Sequence, residues 1–399
     1  MEQNLRNYLV ITGGYWAFTI TDGAIRMLVV LYFHLLGYTP LEVATLFLLY
    51  ELCGVFTNLV GGWLGARVGL NRTMHLGMAL QIFALAMLAV PDAWLSVVYV
   101  MFAQALSGIA KDLNKMSAKA SVKTLVSDKQ SSTLFKWVAA LTGSKNALKG
   151  AGFFVGAALL QWLGFRGALL VLSGGLALVL AMTWIKLPTE IGKMTRKPGF
   201  SQVFSRNPAI NWLSAARFFL FGSRDVWFVV GLPVFLYEVL GWSFTGVGSF
   251  LALWIIGYGL VQAAAPRLLR SSMHGAPGGS TALTGALLLA CLPAGIALGL
   301  HFELPTQGVL IIGLMLFGFV FALNSAVHSY LILALSSHDK VALNVGFYYM
   351  ANAAGRLTGT LLSGWAYQVG GLEACLWWSS AFLLITALLS LKLPGPPQS

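Results

Sequence analysis

Between Glu303 and Asp339 the chain carries no Asp, Glu, Lys or Arg, and stretches of this kind recur from end to end. A transmembrane helix needs about 20 consecutive, mostly apolar residues. The hydropathy pattern predicts twelve such segments: Tyr8–Leu36, Leu41–Leu64, Thr73–Val90, Ala93–Ala118, Leu134–Leu160, Gly167–Leu187, Ala209–Tyr237, Trp242–Ala265, Thr281–Leu300, Gln307–Leu335, Leu343–Val369 and Glu373–Leu393. Only 10% of the 399 residues are charged and 58% are hydrophobic, whereas soluble domains carry about 25% charged residues. A chain of this length with so little charge does not cover a water-facing surface. The expectation is an all-α polytopic membrane protein in the lipid bilayer. A soluble enzyme, a disordered chain and a nucleic-acid-binding module are excluded.

The first segment is too long for a cleavable signal peptide, contains Asp22 and Arg26, and lacks a small-residue cleavage site. Cys53, Cys291 and Cys375 are far apart within apolar runs, which argues against a disulfide framework or a zinc site. The tryptophans are expected mostly at lipid-facing or interfacial positions. No phosphate-cradling glycine loop, nucleophile elbow or His-Glu-x-x-His motif occurs. The chain is expected not to be an enzyme and to use no cofactor or metal.

Twenty-five Lys and Arg face thirteen Asp and Glu, a formal charge of +12. Counted over loops with the N-terminus inside, sixteen cations fall on the cytoplasmic side and Arg166 alone on the outer side, where Asp92, Glu238, Glu303 and Glu373 lie. The positive-inside rule therefore predicts twelve spans with both termini cytoplasmic. The basic stretch 188–208 (Lys193, Arg196, Lys197, Arg206) divides the chain into a six-helix bundle over 1–187 and another over 209–399.

The halves repeat weakly. Leu36-Gly37-Tyr38-Thr39 resembles Leu240-Gly241-Trp242-Ser243, Gly152 and Gly156 match Gly355 and Gly359, and Gly164 matches Gly370. Two pseudo-symmetric six-helix halves in parallel repeat are the plan of the major facilitator superfamily. The loop from Gly62 to Arg72 resembles that superfamily's signature, Gly-x-Leu-Ala-Asp-Arg-x-Gly-Arg-Arg. Gly62, Leu64, Arg67, Gly69 and Arg72 fit it as a gating loop. Ala66 replaces its Asp, which puts the usual gating salt bridge in doubt.

Eight cations lie within the expected spans (Arg26, Lys111, Lys115, Lys145, Lys149, Arg217, Arg224, Arg356) beside four acids (Asp22, Glu51, Asp112, Asp225). A charge at the bilayer centre costs at least about 2.5–3.5 kcal/mol on insertion scales. A cationic surplus there belongs in a watery cavity and suits an anion. Lys111, Lys115, Lys119 and Lys123 recur every fourth residue and stack on one helical face, as do Lys145 and Lys149. Lys119 and Lys123 fit equally well a helix end that snorkels into headgroups. Asp112 is the expected internal partner of one lysine. Asp22 is expected to pair with Arg26 four residues on, whereas the adjacent Arg224 and Asp225 point apart and each needs a partner elsewhere. Arg26, Arg224 and Arg356 offer planar forks for an oxyanion near mid-depth. In the tenth segment Asn324 and His328 are candidate substrate ligands. His328 fits a proton carrier or a packing hydrogen bond as well. Glu51, like Asp22, Asp112 and Asp225, is either a proton-coupling group or a salt-bridge partner.

Three strings are more specific than the superfamily loop. Arg6 to Thr19 with Thr21-Asp22-Gly23-Ala24-Ile25-Arg26-Met27-Leu28, Gly61 to Arg67 with Gly69-Leu70-Asn71-Arg72, and Gly108-Ile109-Ala110-Lys111-Asp112-Leu113 with Lys115-Met116-Ser117 resemble the ArsJ-type organoarsenical efflux permeases. The resemblance covers essentially the whole chain. It implies export of 1-arseno-3-phosphoglycerate, made by a partner glyceraldehyde-3-phosphate dehydrogenase, and hence arsenate resistance. A cargo bearing phosphate and arsenate, without trivalent arsenic, agrees with a cationic path and with the lack of paired cysteines. The expectation is a monomeric secondary exporter in the cell inner membrane working by alternating access. The alternative is a transporter of another phosphorylated metabolite or organic anion.

Overall fold

The computed structural model describes residues 2–37, 46–126, 130–188, 193–194, 199, 204–269 and 276–395. The expected repeat at Tyr38-Thr39 and the basic residues Lys129, Arg196, Lys197 and Arg270 lie outside them. Among the described residues the chain is helical without strands. Helices α1 (Glu2–Leu35), α2 (Leu48–Val68), α3 (Leu70–Leu88) and α4 (Val97–Leu125) are followed by α5 and α6, one stretch, Ser131–Lys186, broken at Gly164. Next come α7 (Pro208–Phe228, continued by Gly231–Val234 and a π-helical turn Phe235–Val239), α8 (Phe244–Leu268), α9 (Gly279–His301) and α10 (Thr306–Ala334). The last stretch, Val341–Ser390, breaks at Gly370 and Gly371 into α11 and α12. The breaks fall at the Gly164 and Gly370 that the sequence comparison pairs.

Among the described residues, seven stretches are long and apolar enough to cross a membrane, and they hold every α-helix except α2, α3 and α4. These three carry buried polar side chains instead: Asn58, Asn71, Gln81, Gln104, Ser107, Asn114 and Ser117 are each at most 1% exposed. These inward polar groups lower the hydropathy of the three helices, although they too show large apolar side chains outward, such as Phe56, Phe83 and Phe102. Two tryptophans depart from the interfacial expectation. Trp227 and Trp254 are buried, edge to face at 5.8 Å, with the Trp254 indole donating to the Leu314 carbonyl at 2.9 Å.

Several helix starts are written in the sequence. The Ser96 and Ser243 hydroxyls accept from the amides of Tyr99 and Gly246, and Asn207 accepts from Ala209 with Pro208 in the first turn. Such caps contribute about 1 kcal/mol each. The expected loop between the second and third segments is largely helix. Residues 62–68 are the last turns of α2, and the chain turns at Gly69, whose φ of 104° suits a residue without Cβ. The charged and glycine-rich composition reads as loop in a hydropathy profile, but its backbone hydrogen bonds remain helical. Helix α4 likewise runs to Leu125 rather than ending near Ala118, so all four of its lysines are helical.

The chain forms two compact units: Met1–Ser127 with Ser144–Phe204 and Ser336–Met350, and Asp128–Gly143 with Ser205–Leu335 and Ala351–Ser399. Each therefore borrows a short stretch from the other half of the sequence. In the first unit α1 crosses α5 closely. A Cβ on Gly152 would lie 2.7 Å from the Ile20 carbonyl, and one on Gly156 2.5 Å from that of Ala24. The second unit repeats the device. A Cβ on Gly355 or Gly359 of α11 would lie 2.1 or 2.5 Å from the Phe218 and Gly222 carbonyls of α7. A third pair behaves alike: Gly346 packs on Gly62 of α2, and Gly143 on Gly259 and Ala263 of α8. Each matched pair is separated by 203 positions, so the repeat glimpsed in the sequence is a repeat of helix crossings. The carbonyls that the first two pairs meet, Ile20 with Phe218 and Ala24 with Gly222, are 198 positions apart, and at that offset Arg26 of α1 corresponds to Arg224 of α7.

Within the first unit Asn4 reaches the Leu125 carbonyl at 2.9 Å, Asn71 that of Pro188 at 2.5 Å, and the Met194 amide that of Ala66 at 2.8 Å. These contacts gather the N-terminus, the α2–α3 corner and the ends of α4 and α6 at one end. Asp92 and Arg166 meet at the other end, 3.8 Å apart. In the second unit the amide of Gly279 meets the carbonyl of Pro394, while His301 lies 3.5 Å from Glu373.

Candidate functional site

In the first unit the site is built by α1, α2, α4 and α5. Asp22 is buried on α1 beside the α5 crossing. One of its oxygens accepts from the Tyr50 hydroxyl at 2.5 Å, and the other lies 3.0 Å from the Lys149 ammonium. The expected Asp22–Arg26 pair does not form. Lys149 comes in from α5 at the glycine crossing and takes the carboxylate, leaving Arg26 to reach Glu51 of α2 at 3.2 Å.

Lys111 lies 4.0 Å from Glu51 and 3.9 Å from Asp112, and Lys115 lies 2.5 Å from Asp112. Asp112 is thus the internal partner of two lysines. Its burial makes the pairing necessary, because removing one member of a buried pair costs about 3–5 kcal/mol. Glu51 acts as a salt-bridge partner in this arrangement. Lys145 donates to Asn146 at 3.2 Å.

The lysine stripe of α4 does not snorkel. Lys119 and Lys123 are 5% and 3% exposed. Lys119 donates to the Tyr349 hydroxyl, and the ammonium groups of Lys115 and Lys119 each sit 4.8 Å from the Tyr349 ring centre. Tyr349 belongs to the Ser336–Met350 stretch counted in this unit. Tyr50 plays the same part higher on the stripe, with Lys111 3.8 Å and Arg26 5.1 Å from its ring centre. Five cations from the expected set (Arg26, Lys111, Lys115, Lys145, Lys149) accompany three carboxylates here, a surplus of two.

The second unit has its own cluster on α7 and α11. Asp225, buried, accepts from Arg224 Nε at 2.6 Å on one oxygen and from Arg356 Nε at 2.9 Å on the other. Adjacent residues on a helix leave it in different directions, yet Arg224 and Asp225 do pair. The long arginine side chain folds back along the helix, and its guanidinium packs near Phe221, Phe228 and Phe321. Arg217 is 2% exposed and donates to Asn352 at 2.9 Å and to the Ser325 carbonyl and hydroxyl at 3.3 and 3.2 Å. Tyr258 and Gln262 also donate to that hydroxyl, each at 3.1 Å. With Arg217, the set expected within the spans places three cations against one acid in this unit, a surplus of two.

Asn324 and His328 are buried on α10. The Asn324 amide packs against α9, where a Cβ on Gly285 would lie 2.9 Å from its Cγ. Asn114 of α4 faces Gly77 of α3 in the same way in the first unit. Neither nitrogen of the His328 ring has a hydrogen-bond partner among the described residues. In the signature segment Gly62 is a packing contact with α11, Gly69 is the corner, Arg67 and Arg72 are exposed, and Arg67 lies 5.1 Å from the Trp63 ring centre. Ala66, where the superfamily has Asp, is buried and supplies only its carbonyl. The three cysteines are free thiols.

Sequence reasoning passed over Tyr50 and Tyr349 as site residues, named Ser325 only as one of the polar side chains the tenth segment offers, and counted Arg217 without assigning it. Tyr50 had one visible signal, its place beside Glu51 in a span. The others depend on helix azimuth, which a periodicity does not supply.

The major facilitator superfamily profile matches residues 11–305. Among solved structures, the human organic anion transporter MFSD10 (TETRAN) superposes with a TM-score of 0.78 and 18% identity, over 97% of this chain and 99% of its own. The E. coli fucose:proton symporter FucP does so at 0.76 and 11%, over 98% of each chain. A bacterial homologue of the iron transporter ferroportin, in an outward-facing state, gives 0.74 and 15%, over 96% and 98%. At these identities the likeness establishes the fold. Comparison with curated protein sequences gives no significant match. The profile match over most of the chain and the shared helical architecture agree: the chain belongs to the major facilitator superfamily and is a membrane transporter, not an enzyme.

Proposed function

We propose that this transporter exports the organoarsenical oxyanion 1-arseno-3-phosphoglycerate by alternating access and thereby confers arsenate resistance. The observation that carries the reading is the gathering of Arg26, Lys111, Lys115 and Lys149 around only three carboxylates inside the first unit. A surplus of half-buried Lys and Arg calls for a counter-anion, and a cargo with phosphate and arsenate groups provides charge at both ends. The ArsJ-type strings around Asp22, Arg67 and Lys111 support the arsenic-containing cargo. Lys111, Lys115, Lys145 and Lys149 form the cationic path, and Arg26, Arg224 and Arg356 grip oxyanion groups. His328 remains a ligand in this scheme, while Asn324 holds α10 to α9. Asp22, Glu51, Asp112 and Asp225 hold the cations apart, and any of them that takes up a proton would make the exporter a proton antiporter.

The scheme includes twelve spans with both termini cytoplasmic, bundles over 1–187 and 209–399 joined by 188–208, a monomer in the inner membrane, and a glyceraldehyde-3-phosphate dehydrogenase that makes the cargo. A second reading, export of another phosphorylated metabolite or organic anion, draws on the same cations, because Lys and Arg meet phosphate, carboxylate and arsenate alike.

Everted membrane vesicles supplied with the dehydrogenase, its nicotinamide cofactor, arsenate and glyceraldehyde 3-phosphate test the proposal. Arsenic should accumulate only when both the dehydrogenase and this protein are present. Equal accumulation without this protein would overturn it. Uptake of other phosphorylated anions but not of arsenic would select the second reading.

A further inference from the structure

We infer that Tyr50 is a positioning residue that holds Lys111 on its ring face, so that this cation stays available to an oxyanion ligand. The inference rests on the anion-transport reading and adds to it the means by which the site stays loaded with cations but receptive.

The Tyr50 side chain is 2% exposed, and its place is fixed by the α2–α4 crossing, where a Cβ on Gly108 would lie 2.6 Å from the Tyr50 carbonyl. Phe47 meets its ring edge to face at 6.5 Å. From this fixed position one side chain serves three helices. Its ring takes Lys111 of α4 at 3.8 Å and Arg26 of α1 at 5.1 Å. Its hydroxyl donates to one oxygen of Asp22, whose other oxygen binds Lys149 of α5.

The physical distinction is between two ways of keeping a cation in a dry place. A carboxylate holds it strongly, carries a full negative charge and repels an incoming anion. An aromatic face stabilises a cation without net charge, by about 2 kcal/mol when desolvated. Its hold is weak enough to be exceeded by a charge-assisted hydrogen bond to an oxyanion. Lys111 is at the edge of ion-pair range from both Glu51 and Asp112, 4.0 and 3.9 Å, while it sits directly over the ring. The hydroxyl has a complementary effect. By occupying one oxygen of Asp22, it lets that carboxylate engage a single ammonium and leaves Lys111 to the ring, while Glu51 and the Phe47 ring also hold Arg26.

The test uses the full-length protein, purified and reconstituted, with 3-phosphoglycerate as a stable phosphoanion probe and inorganic phosphate and arsenate alongside. Binding is measured for the wild type, for Tyr50→Phe, and for variants carrying trifluoro- or pentafluoro-phenylalanine at position 50. These analogues keep the ring's shape while draining, then inverting, the charge on its face. Tyr50→Phe should bind within about threefold of wild type, since the face is retained. The trifluoro variant should bind at least tenfold more weakly and the pentafluoro variant more weakly still, with every variant still folded at the assay temperature. A role in packing alone would not follow the fluorine count. Equal affinities along the series would overturn the assignment while leaving the anion site intact. If the wild type binds none of the three oxyanions, the anion reading itself fails and the role of Tyr50 falls with it.

Discussion

Asp225 is the single carboxylate between two guanidinium groups in the second unit, and its replacement by Asn provides a direct measure of what the cluster holds. The Asp225 side chain is 1% exposed, with Arg224 Nε 2.6 Å from one oxygen and Arg356 Nε 2.9 Å from the other. Asparagine keeps the shape and one acceptor but removes the charge, so two cations then face each other. At an effective dielectric constant of about 20, opposite unit charges about 4 Å apart attract by about 4 kcal/mol. The Arg356 side chain is 32% exposed and is screened more than Arg224, so the second pair contributes less than the first. Loss of one member of a buried pair costs about 3–5 kcal/mol in general, and Asp225→Asn should fall in that range. Equilibrium unfolding in mixed detergent–SDS micelles reads this as a lower SDS midpoint. Adding Arg356→Gln should restore at least about 1 kcal/mol, because the repulsion created by the first change is then relieved. If Asp225→Asn leaves the midpoint unchanged, or if the two changes simply add, the carboxylate is not the counter-charge of these arginines.

Lys149→Gln strands Asp22 with the Tyr50 hydroxyl alone and should lower folded yield, while Lys149→Gln with Asp22→Asn should recover the yield but not the transport. Recovery of both would make Lys149 a structural cation only. Asn324→Ala should change the apparent affinity for an oxyanion by less than about twofold, since its amide faces Gly285. A tenfold loss in the same binding assay would make Asn324 a ligand.

The membrane class, the helix order and the repeat were legible because each rests on one-dimensional information: run length, loop charge and glycine spacing. Gly152 and Gly156 with Gly355 and Gly359 could be matched as letters, and the structure shows why the letters recur, since each lets two helix backbones touch. The lysine stripe of α4 was equally readable from its spacing. Pairing was not. Asp22 and Arg26 satisfy the spacing rule for a helical ion pair, but that rule describes an isolated helix. Once α2 and α5 pack against α1, Lys149 and Glu51 come closer than the intrahelical partner. Arg224 and Asp225 failed in the opposite sense. The direction of a Cα–Cβ bond separates them, and the length of an arginine side chain reunites them. Aromatic rings escaped notice because the sequence offers 25 Phe, 12 Tyr and 13 Trp, and nothing in one dimension says which ring lies under a cation.

The surplus of positive charge within the helices of each unit also bears on leakage. A transporter that admits water to the middle of a membrane risks passing protons, sodium and potassium down their gradients. Fixed cations along a hydrated path oppose this, as rings of Arg and Lys or the positive ends of half-helices do in channels that exclude cations. A lysine about 4 Å away raises the energy of a small cation by about 4 kcal/mol in a partly polar interior, close to a thousandfold in occupancy. The half-buried Lys and Arg proposed to receive an oxyanion would thus also act as an insulator for the membrane voltage.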